Sequence, residues 1–434
     1  MPVQAVGNTR EPGLIPPETD WVRNLKSEIL NCFINKILRF FRIYGVVILL
    51  LFSLVLQLKG QERNIVNDSL KSVNPEKNFR FSVLGGPGYT PDFGFLLGGS
   101  TLFTFRMDAS DLNLQRSVVP MAFAFTMGNG MGFSILSRPQ LYFNQDRFRI
   151  FGQFLFRLTV DNYYGVGFNT NKQTPRGQET TLFDSRSFQF NPVFLFRVPN
   201  SDFFIGPVVN FTYDKMIDPS PGVLNDPSYL AQGGDSTGYK AIEAGTGINL
   251  TYDTRDIPSN AYSGIFLDFR AGIHPSFLGS NTTTGLLNID YRQYVSLKKL
   301  GDRRLLAWTL SSKNAFGDVP ITRLPFLGSP FDLRGYYLGQ YRDKSANYIL
   351  AEYRHMINTS PTNFWSKLAG KFGFAAWAGA GFLGPKIWEI EGVLPNYGAG
   401  LRIELQPRMN FRLDVGRSPL EQQTLIYFNM TEAF

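Results

Sequence analysis

From Phe79 to Phe434 apolar and polar side chains alternate along the chain at period two, the signature of strands with two unlike faces. In 284–298, Leu287, Ile289, Tyr291, Val295 and Leu297 share one face, and Asn288, Asp290, Arg292, Ser296 and Lys298 share the other. Ile265, Leu267, Phe269 and Ile273 oppose Asp268 and Arg270; Leu401, Ile403 and Leu405 oppose Arg402, Glu404 and Gln406; Phe411, Leu413 and Val415 oppose Arg412 and Asp414. Ile242, Ala244, Ile248 and Leu250 likewise oppose Glu243, Asn249 and Asp253.

The pattern predicts sixteen strands: 79–85, 94–106, 117–127, 132–143, 147–160, 180–198, 203–215, 240–253, 262–274, 284–298, 303–315, 346–357, 366–383, 396–406, 409–416 and 423–433. With both termini on the same side, the long connections 161–179, 216–239, 275–283, 316–345 and 384–395 fall on one side and mostly short turns on the other. That asymmetry is the one expected of a transmembrane barrel. Prolines 120, 139, 192 and 207 lie inside these strands, where each removes a ladder bond. A soluble sandwich also alternates, but strands of about ten residues suit a tilted membrane span. The aromatic rims suit it too. The expected fold is an all-β, transmembrane antiparallel β-barrel of sixteen strands occupying 79–434.

Composition sharpens this. Forty phenylalanines, nineteen tyrosines and forty-two glycines accompany only 18% charged residues in 434. Mean hydropathy is −0.11, which excludes a bundle of membrane helices. The charge of +8 is interleaved with acids, so no nucleic-acid partner is expected. Ile43 to Leu56 is a 14-residue apolar run behind Lys36, Arg39 and Arg42. It is short for a span and reads as the core of a signal peptide within an N-terminal lead, 1–60, with cleavage after Gly60; a retained anchor helix is the alternative reading. Residues 61–78 are a short polar periplasmic segment. The single cysteine, Cys32, lies in the lead, and the only histidines are His274 and His355. Disulfides and thiolate or histidine metal centres are therefore not expected, and no cofactor is.

One loop does not look idle. Phe326 to Tyr337 (FLGSPFDLRGYY) is punctuated by Gly328, Pro330 and Gly335, yet carries an aromatic cluster and Arg334. An inward fold of this loop would bury a guanidinium and so require a carboxylate from the wall. By parity the lumen-facing set is Glu243, Asp253, Asp268, Arg270, Asp290, Arg292, Glu352, Arg354, Arg402, Glu404, Arg412 and Asp414. Glu352 is the first candidate partner, with Glu404 and Asp414 behind it. Such a set is either a polar lumen surface or a network that satisfies itself. The glycine runs 128–132 and 233–238 lack the ending and context of a phosphate loop and read as hairpin loops. No nucleophile–base arrangement stands out, and no enzyme is expected.

Several of these residues occur in a family order. Leu333-Arg334-Gly335-Tyr336 resembles the hydrophobic-Arg-Gly-aromatic motif on the sixth outer loop of the BamA/TamA superfamily, the bacterial surface antigen barrels. Tyr163-Tyr164-Gly165-Val166-Gly167 and Asp253-Thr254-Arg255-Asp256 with Tyr262-Ser263-Gly264 resemble further family elements. Gly398 to Arg402 and Arg412 to Gly416 resemble its penultimate strands, and Phe434 its final aromatic. The resemblance covers 79–434 and implies an outer-membrane barrel with an inward-folded sixth outer loop. It implies contact with outer membrane lipid, and with unfolded outer-membrane proteins or assembly factors as partners. Two departures stand out. The POTRA domains usual before the barrel find no room, and Trp377-Ala378-Gly379-Ala380-Gly381 has glycine where the family offers an aspartate to the loop arginine.

The first strand, Phe79 to Leu84, runs into Gly85-Gly86 and must close against Leu425 to Phe434. A short, glycine-ended strand makes this the weakest lateral seam. In the relatives such a seam is proposed to open sideways and admit a nascent strand; a permanently closed barrel is the other reading. Insertion or translocation of proteins is thus the leading expectation. A pore for small solutes or lipids, or an accessory subunit of an assembly complex, are the alternatives.

Overall fold

In a computed structural model of the chain, the residues described are 78–90, 94–111, 114–127, 131–258, 260–359, 363–406 and 408–434. The lead, the signal-like run, Cys32, residues 61–77 and Gly128 to Gly130 lie outside the described residues.

Lys77 to Phe434 forms one unit, an antiparallel sheet whose strands pair in chain order. Its first members are β1 (Arg80–Thr90), β2 (Gly94–Phe105), β3 (Ser117–Thr126), β4 (Gly132–Ser137), β5 (Gln140–Phe143) and β6 (Phe148–Asn162). Next come β7 (Leu182–Arg197), β8 (Phe203–Ile217), β9 (Tyr239–Asp253), β10 (Gly264–His274), β11 (Thr284–Ser296) and β12 (Arg304–Gly317). The wall ends with β15 (Ser345–Met356), β16 (Phe372–Gly384), β17 (Gly392–Gln406), β18 (Met409–Ser418) and β19 (Gln423–Met430). Between β12 and β15 the sixth outer loop carries its own small hairpin, β13 (Phe326–Leu327) with β14 (Tyr341–Arg342). Strands β4 and β5 both lie between β3 and β6, so they are two halves of one wall position, parted at Arg138-Pro139. Pro139 removes the ladder bond there. The sheet of seventeen strands therefore fills the expected sixteen positions.

The faces are inside-out relative to a soluble protein. Ile248, Leu250, Leu267, Ile289, Leu310, Ile349, Leu401, Val415 and Ile426 are exposed, while Glu243, Asp253, Glu352, Arg354, Arg402, Arg412 and Asp414 are buried. Apolar side chains in a continuous exposed band are a liability in water and the correct solution in lipid.

Of the boundaries that differ from expectation, three change the wall. β1 has eleven residues and pairs with β2 along its whole length, through the glycines. Gly85 stands opposite Gly99 and Gly86 opposite Gly98, so the backbones meet without a side chain in the way, and the Phe123 ring fills the space a Cβ on Gly99 would take. At the other end β19 stops at Met430; Thr431 takes φ 68° and turns the last residues off the wall. Residues 366–369, expected to begin a strand, instead belong to a short helix, α4 (Phe364–Ala369), closed by an Asn363–Ser366 capping box. Earlier helices α1 (Phe168–Gln173), α2 (Pro221–Leu224) and α3 (Pro227–Ala231) all lie in the outer loops.

Among the described residues, every successive wall position shares a ladder, but β1 and β19 do not. They approach each other without a backbone register. The seam is thus weak for want of pairing, and not because β1 is short.

The strand order puts Phe277 and Lys299 at opposite ends of the barrel, and termini on the periplasmic side put Phe277 outside. With Phe277 in an outer loop and Lys299 in a periplasmic turn, Phe277→Cys is expected to react with a bulky, membrane-impermeant maleimide in intact cells, whereas Lys299→Cys reacts only after the outer membrane is permeabilised. The reverse pattern would invert the topology.

Candidate functional site

The sixth outer loop, residues 318–344, folds into the lumen and is organised by its own backbone. Gly328 and Gly335 adopt φ 100° and 116°, which a side chain resists. The Asp332 carboxylate accepts the N–H groups of Gly328 (3.2 Å) and Leu333 (2.5 Å), tightening the turn that projects Arg334. Leu333, Arg334 and Tyr336 are each 0% exposed. Leu333 and Tyr336 join Leu327, Tyr341, Leu350, Trp377 and Leu394 in the largest apolar cluster.

Arg334 ends between two strands. Its Nη2 donates to Glu352 at 2.6 Å and its Nη1 to Asp414 at 2.8 Å. Its guanidinium also sits over Trp377, 3.4 Å from the ring centre. Such stacking stabilises by about 0.5–2 kcal/mol. Trp377, two residues from the glycine that replaces the family aspartate, thus covers one face of the cation while Glu352 and Asp414 supply the charge. Glu404, one of the expected partners, does not reach it. Two residues further along β17 than Arg402, it sits at the periplasmic rim, where the strand's register slips, and pairs with Arg303 at 2.9 Å.

The acids holding Arg334 are shared. Asp414 also binds Arg412 (2.5 Å) and Arg402 (2.6 Å), Glu352 binds Arg354 (2.7 Å), and Arg402 reaches Glu432 (2.9 Å). Four guanidiniums therefore share three carboxylates in the lumen, an arrangement that succeeds only with near-complete hydrogen bonding. Backbone carbonyls help: Arg412 donates to Pro330 O at 2.7 Å and Arg354 to Phe434 O at 2.9 Å. Glu432 escaped sequence reasoning because parity fails once Thr431 turns the chain.

The loop grips the last wall strands together. Asn396 on β17 donates to Arg334 O at 3.1 Å, and Tyr336 donates its hydroxyl to Pro395 O at 2.9 Å. On β19 the Tyr427 hydroxyl accepts the Gly335 N–H and donates to Tyr336 O, both at 2.9 Å. Close approach needs glycine on the wall as well: a Cβ on Gly416 would lie 2.5 Å from the Arg334 backbone.

Of the seam residues, Phe79 precedes β1 and stacks near Phe103 and Phe105, while Leu84, Gly85 and Gly86 pair with β2. Leu425 points inward from β19. Phe434 is not at the seam; it is buried in the lumen beneath the Arg354 guanidinium, with Tyr294 and Leu305 in the same cluster.

Loop and turn residues also meet one another at both mouths. Outside, Tyr163, Met216, Val223, Tyr229, Tyr239 and Ile321 form an apolar cluster from several loops, and Asn171 accepts the Arg342 N–H of the plug at 2.9 Å. On the periplasmic side the Asp253-Thr254-Arg255-Asp256 run shapes a turn, 254–263. Asp253 holds Arg255 (2.8 Å) and Arg149 (2.7 Å), and Asp256 accepts the Tyr262 N–H (2.9 Å). From there Asp256 meets Arg408 at 2.7 Å, and Arg408 lies 3.6 Å over the Tyr262 ring. Arg408 belongs to the β17–β18 turn, with β11, β12, β15 and β16 intervening, so turn 254–263 reaches across the mouth. Burial works to raise the Asp256 carboxyl, but the Arg408 guanidinium and the Tyr262 N–H outweigh it and hold it below the usual carboxylate range.

Residues 103–424 match the Omp85 superfamily domain. The chain belongs to the Omp85 superfamily. Its fold is similar to that of BamA from Haemophilus ducreyi lacking POTRA domains 1–3, at 11% identity and TM-score 0.51, covering 81% of this chain and 70% of that one. It is also similar to CdiB from Escherichia coli, at 11% identity and TM-score 0.51, covering 83% of this chain. The chain spans 63% of that CdiB, less than two thirds of its length. Among curated proteins, none matches. As an Omp85 barrel the chain resides in the bacterial outer membrane, and no POTRA-like domain occurs among its described residues.

Arg334→Ala leaves Glu352 and Asp414 buried with fewer cations and is expected to cost about 3–5 kcal/mol. The readout is a lower temperature for collapse of the fast-migrating folded band on unheated gels, with Arg334→Lys intermediate because the two-pronged contact is lost. A second outcome concerns Asp256. Because its folded value is lowered, its contribution is fully present above the unfolded carboxylate range and is lost as pH falls through the folded value. Asp256→Asn is expected to remove that acid-side step from stability measured against pH.

Proposed function

We propose that this Omp85 barrel assists insertion or translocation of proteins at the outer membrane, using the β1–β19 seam. The observation that carries the reading is that, among the described residues, these two strands share no ladder while every other pair of neighbouring wall positions does. An unpaired strand edge templates another strand, because its N–H and C=O groups seek partners that lipid does not provide. An unfolded outer-membrane protein brings such strands, and adding one to an open edge satisfies both chains.

The plug loop supports the same reading. Its contacts with Glu352, Asn396, Asp414 and Tyr427 tie β15, β17, β18 and β19 into one braced section. That section holds its shape while the edge beside it parts from β1. A pore for solutes or lipids is less well supported, since a packed ion cluster and the folded-in loop stand in the lumen. The role of accessory subunit in an assembly complex would show as co-purification with assembly factors.

The decisive experiment puts a photoreactive residue at Val83 on β1 or Ile426 on β19, both lipid-facing, and at Ile248 on the far wall as control. Seam positions are expected to crosslink unfolded barrel proteins during their synthesis, and the control is not. Equal labelling at all three, or depletion without loss of any outer-membrane protein, would overturn the proposal. Steady, large single-channel conductance in planar bilayers would favour the pore instead.

A further inference from the structure

The helix α4, in the periplasmic connection between β15 and β16, is amphipathic in the wrong sense for a water-facing turn. Phe364 and Trp365 are 68% and 74% exposed and Leu368 is exposed beside them, one face at helical spacing. The helix is built, not frayed. Its capping box closes the first turn, Thr359 donates to Ser366 O at 2.7 Å, and Arg303 donates to Gly370 O at 2.6 Å. A short connection could be made of polar residues, yet three large apolar side chains are held outward.

Two features identify what covers this face. First, it lies in the connection between two strands whose ends carry lipid-facing aromatics. Tyr353, His355 and Phe374 form an aromatic stack low on β15 and β16, with His355 and Phe374 rings 4.9 Å apart, and Ile357 is exposed just beyond them. Phe364 and Trp365, 5.3 Å apart edge to face, add two more exposed aromatics in the connection beyond those strand ends. Second, the charge is one-sided. Lys367 and Lys371 are the only charged residues from Ile357 to Phe372, which suits lipid phosphates.

The geometry points to α4 as an interfacial anchor that lies in the inner leaflet of the outer membrane, its Phe364-Trp365-Leu368 face among the acyl chains and its lysines at the phosphates. It fixes the depth of the barrel on the side where β15 and β16 descend. Anchoring there is independent of whether the seam opens, so this inference stands or falls apart from the proposed function.

The test uses the full barrel in vesicles of phosphatidylethanolamine and phosphatidylglycerol with brominated acyl chains, comparing the wild type with Trp365→Phe. The emission lost on substitution, assigned to Trp365, is expected to be blue-shifted, strongly quenched by the brominated lipid and little affected by aqueous iodide. As a second reading, Leu368→Cys in a Cys32→Ser background carries a polarity-sensitive dye, expected to report an apolar environment in the same vesicles. Folding of both variants is checked by the unheated gel shift. Quenching of Trp365 by iodide and not by lipid overturns the proposal. So does shielding that appears only when an assembly factor is added, which would assign the face to a protein partner.

Discussion

A guanidinium cannot sit in the middle of a membrane protein without carboxylates placed to meet it, and this requirement governs the barrel's interior. Arg334 is delivered by a loop, whereas Glu352 and Asp414 are delivered by strands β15 and β18. The ion contacts therefore join parts of the chain that the sheet alone would not connect. Arg402, Arg412 and Arg354 spread the same acids over neighbouring strands, so that the cluster behaves as one object. Each ion has already left water, and removing a single member strands the others. The loop is held by this interdependence more than by any individual bond.

Trp377 shows how a departure from the family pattern is accommodated. With Gly379 in the acidic position, the wall gives the cation an aromatic face on β16 and draws both carboxylates from other strands. Gly416 and Gly381 serve the same end by omission: Arg334 backbone and the Leu333 side chain occupy the room their side chains would need. Small residues on the wall and large ones on the loop make a complementary pair.

Period-two alternation made the wall legible from the chain alone, because a strand facing lipid on one side and polar contacts on the other has to write that difference into every second residue. It placed Glu352, Asp414 and Arg402 on the inner face without any coordinates. It failed where the backbone leaves the lattice. Glu432 and Phe434 enter the lumen after a left-handed residue at Thr431, which no alternation announces. Glu404 was misjudged for a related reason: parity gives the face but not the height, and the charge lies at the rim beside Arg303. The helix at Phe364 was hidden by an apolar run too short to distinguish three-and-a-half-residue spacing from two.

The facing glycines of β1 and β2 have a mechanical consequence. Where Gly85 meets Gly99 and Gly86 meets Gly98, the two ribbons carry no side chains of their own over adjacent rungs, and the Leu96 side chain and the Phe123 ring lean on Gly98 and Gly99. Glycine in a strand interior leaves a place where the ribbon bends more readily than it would around a side chain. A bend in β1 is therefore least resisted at these two rungs, where its ladder to β2 still runs unbroken.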